Sequence, residues 1–219
     1  MLGKTALVFG SSGLVGSELT KQLLKDDRYK IIKIFVRKSI FPGNPKIVEI
    51  IDPLADPEKI SEEIIGNDLF CCLGTTIKKA GSKKYFEWVD LEIPTQIAKI
   101  ASRNKVDKFL VVSSIGANSS TGNFYLRTKG IMEKRVTKNH FEHIYILRPS
   151  MLLGKRNEFR FLEIMGKGFM RLISVFMLGP IRKYRGIQAS KVANAMIKLA
   201  NSTYPDVVIE SDKIEELGK

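Results

Sequence analysis

Tyr125 and Lys129 stand four residues apart in the run Tyr125-Leu126-Arg127-Thr128-Lys129, so a helix over this segment carries a phenol and an ammonium on one face. A tyrosine of ordinary pKa, about 10, is a poor acid or base near neutrality, and a neighbouring cation lowers that value by stabilising the phenolate. Ser113-Ser114 closes an apolar run upstream, where a hydroxyl can hold a substrate carbonyl beside the phenol. The chemistry these types offer is proton transfer at a carbonyl or hydroxyl, with Lys129 tuning Tyr125. Tyr-x-x-x-Lys alone describes many surface pairs, and its weight here comes from the serines and from a glycine turn near the start.

That turn is Gly10-Ser11-Ser12-Gly13-Leu14-Val15-Gly16, between an apolar run, Lys4 to Phe9, and a stripe at helical spacing, Val15, Leu19 and Leu23. Small residues let backbone approach a diphosphate, and the free amides and positive end of the helix stabilise its charge. The reading is a dinucleotide site; a tight turn needed only for packing is the plain alternative. Roughly 20 residues on, at the end of the second strand, an acid would take the ribose hydroxyls of NAD. Arg37 and Lys38 stand there, and their charges suit a 2′-phosphate, which predicts NADPH over NADH. Asp52 follows the third strand and is a candidate for the adenine side, or a helix-start acid for Pro53 onward. Leu73-Gly74-Thr75 closes the fourth strand, where Gly74 would let a cofactor pass closely.

The elements that must position these groups follow a β-α rhythm. Strands are predicted at 4–9, 31–36, 47–51, 69–73, 108–113 and 143–147, with an edge strand at 207–209. Helices are predicted after Gly13, over 57–65, 93–102 and 124–138, and around Val192, Ala195, Met196 and Leu199. Short apolar runs alternating with helices predict an α/β fold, a doubly wound parallel Rossmann-type sheet with a small C-terminal substrate lobe. The chain reads as one domain, 1–219, in which residues about 150–187 form a lid or lobe.

Composition bounds the rest. The 219 residues are 44% apolar and 27% charged, which suits one globular domain rather than a disordered chain. No uncharged apolar stretch approaches the roughly 18 to 20 residues of a membrane span, and no signal peptide is visible. Cys71 and Cys72 are neighbours and form no long-range staple, which predicts a reducing, cytoplasmic setting. The formal net charge is +13, and residues 127 to 198 hold 16 Lys or Arg against only Glu133, Glu142, Glu158 and Glu163, so something anionic is expected to meet that half.

The run Cys71-Cys72-Leu73-Gly74-Thr75-Thr76, then Lys79-Ala80-Gly81, Val89-Asp90, Ser113-Ser114-Ile115-Gly116-Ala117, Tyr125-Leu126 with Lys129-Gly130, and Arg148-Pro149 with Leu152-Leu153 resembles the Tat-interacting-protein branch of the atypical short-chain dehydrogenase/reductases. The closing Leu217-Gly218-Lys219 is similar too, and the likeness is weakest over 156–187. It implies a Rossmann-type fold, NADPH binding and a Ser-Tyr-Lys site of Ser114, Tyr125 and Lys129, with Ser113 as the substitute for Ser114. It also implies cofactor contacts at Ser12, Gly13, Leu14 and Val15, at Arg37 and Lys38, and at Leu73 and Gly74. One departure stands out: Cys72-Leu73-Gly74-Thr75 replaces the Asn-Ala-Gly type segment of many short-chain reductases, so no relay through that asparagine is carried over.

Two readings of function stay open. In the first, an NADPH-dependent oxidoreductase reduces a carbonyl, anionic or hydrophobic, or in an epimerase variant oxidises and re-reduces a sugar carbon. In the second, NADPH stabilises a conformation that binds an acidic partner without turnover. The basic, apolar segment 156–185 reads as a lid over the substrate, with a subunit contact such as a homodimer, or a peripheral membrane contact, as alternatives. Nucleic acid is disfavoured. His140 and His143 lack further ligands for a metal, and Trp88 and Phe86 read as packing residues.

Overall fold

The computed structural model describes residues 3–154 and 185–219. Its first strand, β1 (Lys4–Phe9), sends Ala6 and Val8 into one apolar layer and Leu7 and Phe9 into the other, all four fully buried. A strand in the middle of a parallel sheet has no wet face, so its sequence is a continuous apolar run. α1 (Leu14–Leu24) follows the glycine turn and lays Val15, Leu19 and Leu23 into the first layer.

The chain then adds β2 (Tyr29–Val36) and β3 (Ile47–Ile51) outward from β1, and β4 (Asp68–Cys71), β5 (Lys108–Val112), β6 (His143–Arg148) and a late strand on the other side. Two short strands, β7 (Leu152–Leu153) and β8 (Ile187–Gln188), pair with each other in a separate ladder that flanks the segment outside the described residues. The late strand is β9 (Val208–Glu210). The sheet order is β3-β2-β1-β4-β5-β6-β9, with every pairing parallel. Strand order therefore reverses between β1 and β4. Their carboxyl ends part into a crevice there, which is where open α/β sheets hold ligands.

The helices after the crevice are α2 (Ile77–Ala80), α3 (Lys83–Glu87), α4 (Ile93–Arg103) and α5 (Phe124–Val136). Ile97, Ile100 and Ala101 of α4, with Met132 and Val136 of α5, fill the second layer. α6 (Ala189–Ala200) joins α1 over the first layer, and α7 (Ser211–Leu217) packs on α6. Each fully buried Leu or Ile in these layers contributes about 1.5–3 kcal/mol.

Three differences from the sequence reading have physical causes. The segment expected as a helix over 57–65 is a 3₁₀ helix, Pro57–Glu63, whose Asp56 carboxylate accepts the Glu58 amide at 3.2 Å. Periodicity marks no element between Gly74 and Glu92, where α2, α3 and one π-turn, Trp88–Glu92, are found. Pro94 accounts for the π-turn: it has no N–H for the carbonyl of residue 90 and its ring crowds that turn, so the helix widens there. At the far edge of the sheet, buried Asp68 accepts from Tyr29 Oη at 2.7 Å and Lys4 Nζ at 3.0 Å, and Asn201 Nδ2 donates to Tyr29 Oη at 2.9 Å. This cluster ties three strands to the end of α6, opposite the crevice.

Candidate functional site

The glycine turn closes against β4. Gly10 has φ +82°, where a side chain is strained, and a Cβ there would lie 2.6 Å from the Cys72 carbonyl oxygen. Gly13 N donates to Gly10 O at 2.9 Å, and a Cβ on Gly16 would fall 2.2 Å from the same oxygen, so the third glycine lets α1 sit directly on the turn. Gly13 is the N-cap of α1, with no side-chain cap and no acid in the first turn. The first helical bond runs from Ser17 N to Gly13 O at 3.0 Å, so the amides of Leu14, Val15 and Gly16 precede it. These are donors that an anion satisfies. Ser11 Oγ is buried beneath the turn without a hydrogen-bond partner among the described residues, and Ser12 is exposed on it.

Arg37 and Lys38 follow β2 directly and are exposed. Asp52 is brought to the same edge by its own amide, which donates to Val36 O at 2.9 Å. Its carboxylate accepts the Leu54 N–H at 2.6 Å and so stabilises a turn in which Leu54 has φ +57°. Asp52 is therefore not the helix-start acid; Asp56 fills that role.

The other half of the site hangs on the ends of β4 and β5 and on α5. Asn123 caps α5 by accepting the Leu126 amide at 3.1 Å, which places Tyr125 in the first turn and Lys129 one turn later. Ser113 and Ser114 follow β5 and meet different side chains of α5. Ser113 Oγ donates to Glu133 Oε1 at 2.5 Å, whereas Ser114 shares a side-chain hydrogen bond with Tyr125. Both serines line the cleft described below, Ser113 held from behind by Glu133 and Ser114 paired with Tyr125.

Glu133 itself lies in a buried network, accepting from Arg148 Nε at 3.0 Å and Nη2 at 2.5 Å, while Arg148 Nη1 reaches Glu210 at 3.1 Å. Removing one partner of a buried pair leaves a charge uncompensated. Glu133→Ala is expected to lower stability by about 3 kcal/mol, at the low end because Glu210 still faces Arg148. The check is urea unfolding, with a lower midpoint at unchanged slope.

Lys129 is buried and pairs with Asp90, Nζ to Oδ1 at 2.8 Å, and the other Asp90 oxygen accepts the Thr75 N–H at 2.8 Å. Gly74 lies against this pair: a Cβ there would be 3.4 Å from Asp90 Oδ1 and 3.8 Å from Lys129 Nζ. Burial alone would lower the pKa of Lys129, and the Asp90 carboxylate and Tyr125 outweigh it, so the ammonium is held above its ordinary value. For Tyr125 burial acts most strongly and raises the phenol; Lys129 and the Ser114 hydrogen bond pull downward, and Asp90 adds to the rise. The expectation that Lys129 lowers the phenol below its ordinary value is therefore corrected. Its pull is real, but burial and Asp90 exceed it.

One cleft runs from Gly13, Leu14 and Val15 past Leu73, Gly74 and Thr75 to Ser114, Tyr125 and Lys129, with Asp90 in its wall. Of the residues predicted from sequence, Gly10 and Gly16 shape the turn from behind, and Ser12, Arg37, Lys38 and Asp52 lie outside the lining. Asp90 and Glu133 were not singled out as functional in the sequence. The segment 156–185 read as a lid falls, but for Arg185, outside the described residues. His143 stacks on Tyr145 with ring centroids 5.8 Å apart, and His140 N–H donates to Ser102 Oγ at 3.0 Å.

A family model described as NAD(P)H-binding matches residues 10–170. Protein FMP52, mitochondrial, of Debaryomyces hansenii is 34% identical over 157 residues, which cover 70% of this chain and 69% of that protein. Protein HTATIP2 of Rattus norvegicus is 30% identical over 164 residues, 73% of this chain and 67% of its own. Among solved structures, a short-chain dehydrogenase/reductase family oxidoreductase from Burkholderia thailandensis superposes with a TM-score of 0.70 at 14% identity, covering 98% of this chain and 94% of that one. The cytoplasmic setting expected from the cysteines is overturned: the Debaryomyces relative and further relatives at 33–35% identity carry mitochondrial names. A reduced thiol pair bounds redox state and does not identify a compartment.

Proposed function

This chain belongs to the NAD(P)H-binding family, in the Tat-interacting-protein-like branch of the atypical short-chain dehydrogenase/reductases, and we propose that it is an NADPH-dependent carbonyl reductase. The observation that carries this reading is the single cleft joining the uncapped start of α1 to the Tyr125, Ser114 and Lys129 cluster.

The turn fits a dinucleotide on physical grounds. The amides of Leu14 and Val15 would bind the diphosphate, and side chains at Gly10 or Gly16 would close the turn that exposes them. Arg37 and Lys38 would take the 2′-phosphate, with Asp52 toward the adenine side. Leu73, Gly74 and Thr75 would flank the nicotinamide half, with Lys129 on its ribose. The bound nicotinamide supplies a hydride to the carbonyl carbon.

Ser114 donates a hydrogen bond to the carbonyl oxygen and fixes its direction. Tyr125 gives that oxygen its phenolic proton as negative charge develops on it. Ile77, Pro149 and Leu152 make the described wall beyond these groups apolar, which favours a hydrophobic carbonyl compound. Since the phenol is held above its ordinary value, the donor form is present throughout the neutral range. Reduction is expected to stay flat there and to fall only in alkali.

Calorimetric titration tests the cofactor assignment. NADPH is expected to bind at least about tenfold more tightly than NADH, an exposed charge-assisted contact contributing on the order of 1.5 kcal/mol. Arg37→Ala should erase most of that difference. Equal affinities in the unmodified protein would refute the assignment.

A further inference from the structure

The loop that follows β2 is gathered by one carboxylate from the neighbouring strand. Glu49 lies in β3 opposite Ile34, and its Oε1 accepts the amides of Ile40 at 2.7 Å and Phe41 at 2.9 Å. Its Oε2 accepts the Ser39 hydroxyl. A glutamate on an edge strand has water available to it, yet both oxygens of this one are spent on a single short stretch of chain.

What stands between the anchored points gives the clasp its meaning. Val36 ends β2 paired with Ile51, and the Asp52 amide donates to its carbonyl at 2.9 Å. Ser39 is held at Glu49, which stands two residues before Ile51 on the same strand. Arg37 and Lys38 are the only residues between these anchors, so the chain turns back over them. The far side of the loop is tied as well. Phe41 packs against the first apolar layer, and Lys46 Nζ donates to the carbonyls of Leu23, Leu24 and Asp26 at 2.9, 3.1 and 2.7 Å.

Charge alone argues against this glutamate. A carboxylate close to a phosphate site repels the phosphate, so Glu49 has no electrostatic reason to stand beside groups that take one. Order is what it supplies: a loop folded before the ligand arrives does not draw its conformational entropy from binding.

We propose that Glu49 is a positioning residue for cofactor choice: by clasping residues 39–41 it holds Arg37 and Lys38 where a 2′-phosphate on the adenosine ribose meets them. The inference rests on the NADPH reading of the site. Charge and position predict opposite signs for its removal, which makes the role separable.

The test is calorimetric titration of the full chain with adenosine 2′,5′-bisphosphate and adenosine 5′-monophosphate, probes that differ by the phosphate in question. In the unmodified protein the bisphosphate should bind at least about tenfold more tightly. Glu49→Ala should cut that ratio at least about fivefold and change the monophosphate affinity by less than about twofold, because the disordered loop must then be ordered by the 2′-phosphate. Glu49→Gln removes the charge and keeps the clasp, its amide oxygen accepting the two N–H groups and its NH₂ donating to Ser39, so it should hold the ratio or raise it. Should Glu49→Ala fail to fold, Glu49→Val, which suits a strand, takes its place.

A Glu49 acting by charge would raise the ratio in both variants, and a merely structural one would lower both affinities together. Either result overturns the proposal. Discrimination in the unmodified protein that persists in Glu49→Ala would refute the role of Glu49 alone and leave Arg37 and Lys38 in place. Equal affinities for the two probes in the unmodified protein would refute the NADPH reading and this proposal with it.

Discussion

Tyr125→Phe is expected to lower NADPH-dependent carbonyl reduction about 10³-fold while changing NADPH affinity by less than about threefold, since loss of a positioned proton donor costs roughly 10²–10⁴. The substitution is conservative for packing. The Tyr125 ring lies 5.6 Å from that of Phe86, tilted by 47°, and a phenylalanine keeps this contact. What disappears is the hydroxyl that shares a hydrogen bond with Ser114. Single-turnover kinetics on a panel of hydrophobic ketones and aldehydes, beside calorimetry with NADPH, separates chemistry from binding. Turnover within tenfold of the unmodified protein would remove Tyr125 from the reaction. A protein that only senses the cofactor would keep its partner binding in this variant, so the same substitution divides enzyme from sensor.

Gly13→Asp is expected to abolish NADPH binding without unfolding the protein, and both results come from one position. Gly13 is the N-cap of α1, and aspartate is among the best residues for an N-cap, so the helix should gain a few tenths of a kcal/mol. Its Cβ would stand 3.1 Å from Gly10 O, a tight but adjustable contact. The new carboxylate, however, bonds the very amides that would bind a diphosphate and repels its charge. A loss of at least about 2.7 kcal/mol, or about 100-fold in affinity, follows from two displaced charge-assisted hydrogen bonds. Thermal melts should show an unchanged or slightly higher midpoint, and calorimetry should show no binding at concentrations that saturate the unmodified protein. Retained affinity would show that the start of α1 does not hold the cofactor. Either function, reductase or sensor, should fail here.

Much of this architecture is legible before folding because parallel strands bury both faces. Ala6–Phe9 and Phe109–Val112 read as uninterrupted apolar runs, and the helices between them carry stripes such as Val15, Leu19 and Leu23. The glycine turn is legible because its steric demands are local: Gly10, Gly13 and Gly16 meet one another. Three other features depend on contacts distant in sequence. Ser113 and Ser114 are equivalent on paper, and only the arrival of Glu133 from α5 gives the buried partner to Ser113. Tyr-x-x-x-Lys spacing contains the cation but not the burial, so the sign of the Tyr125 shift could not be read from it. Asp90 lies in a turn that Pro94 widens, outside any helical period, and its partners Thr75 and Lys129 come from two other elements. Asp52 shows the converse: an acid before a proline suits a helix start, and the backbone placed that start at Asp56.

The account stands most directly on where the dinucleotide lies, and a crystal structure of the NADP⁺ complex measures that. The diphosphate is expected over the amides of Leu14 and Val15, the 2′-phosphate against Arg37 and Lys38, and the nicotinamide ribose within hydrogen-bond distance of Tyr125 and Lys129. A dinucleotide bound away from the β1–β4 crevice, or one whose nicotinamide lies out of reach of Tyr125, would contradict it.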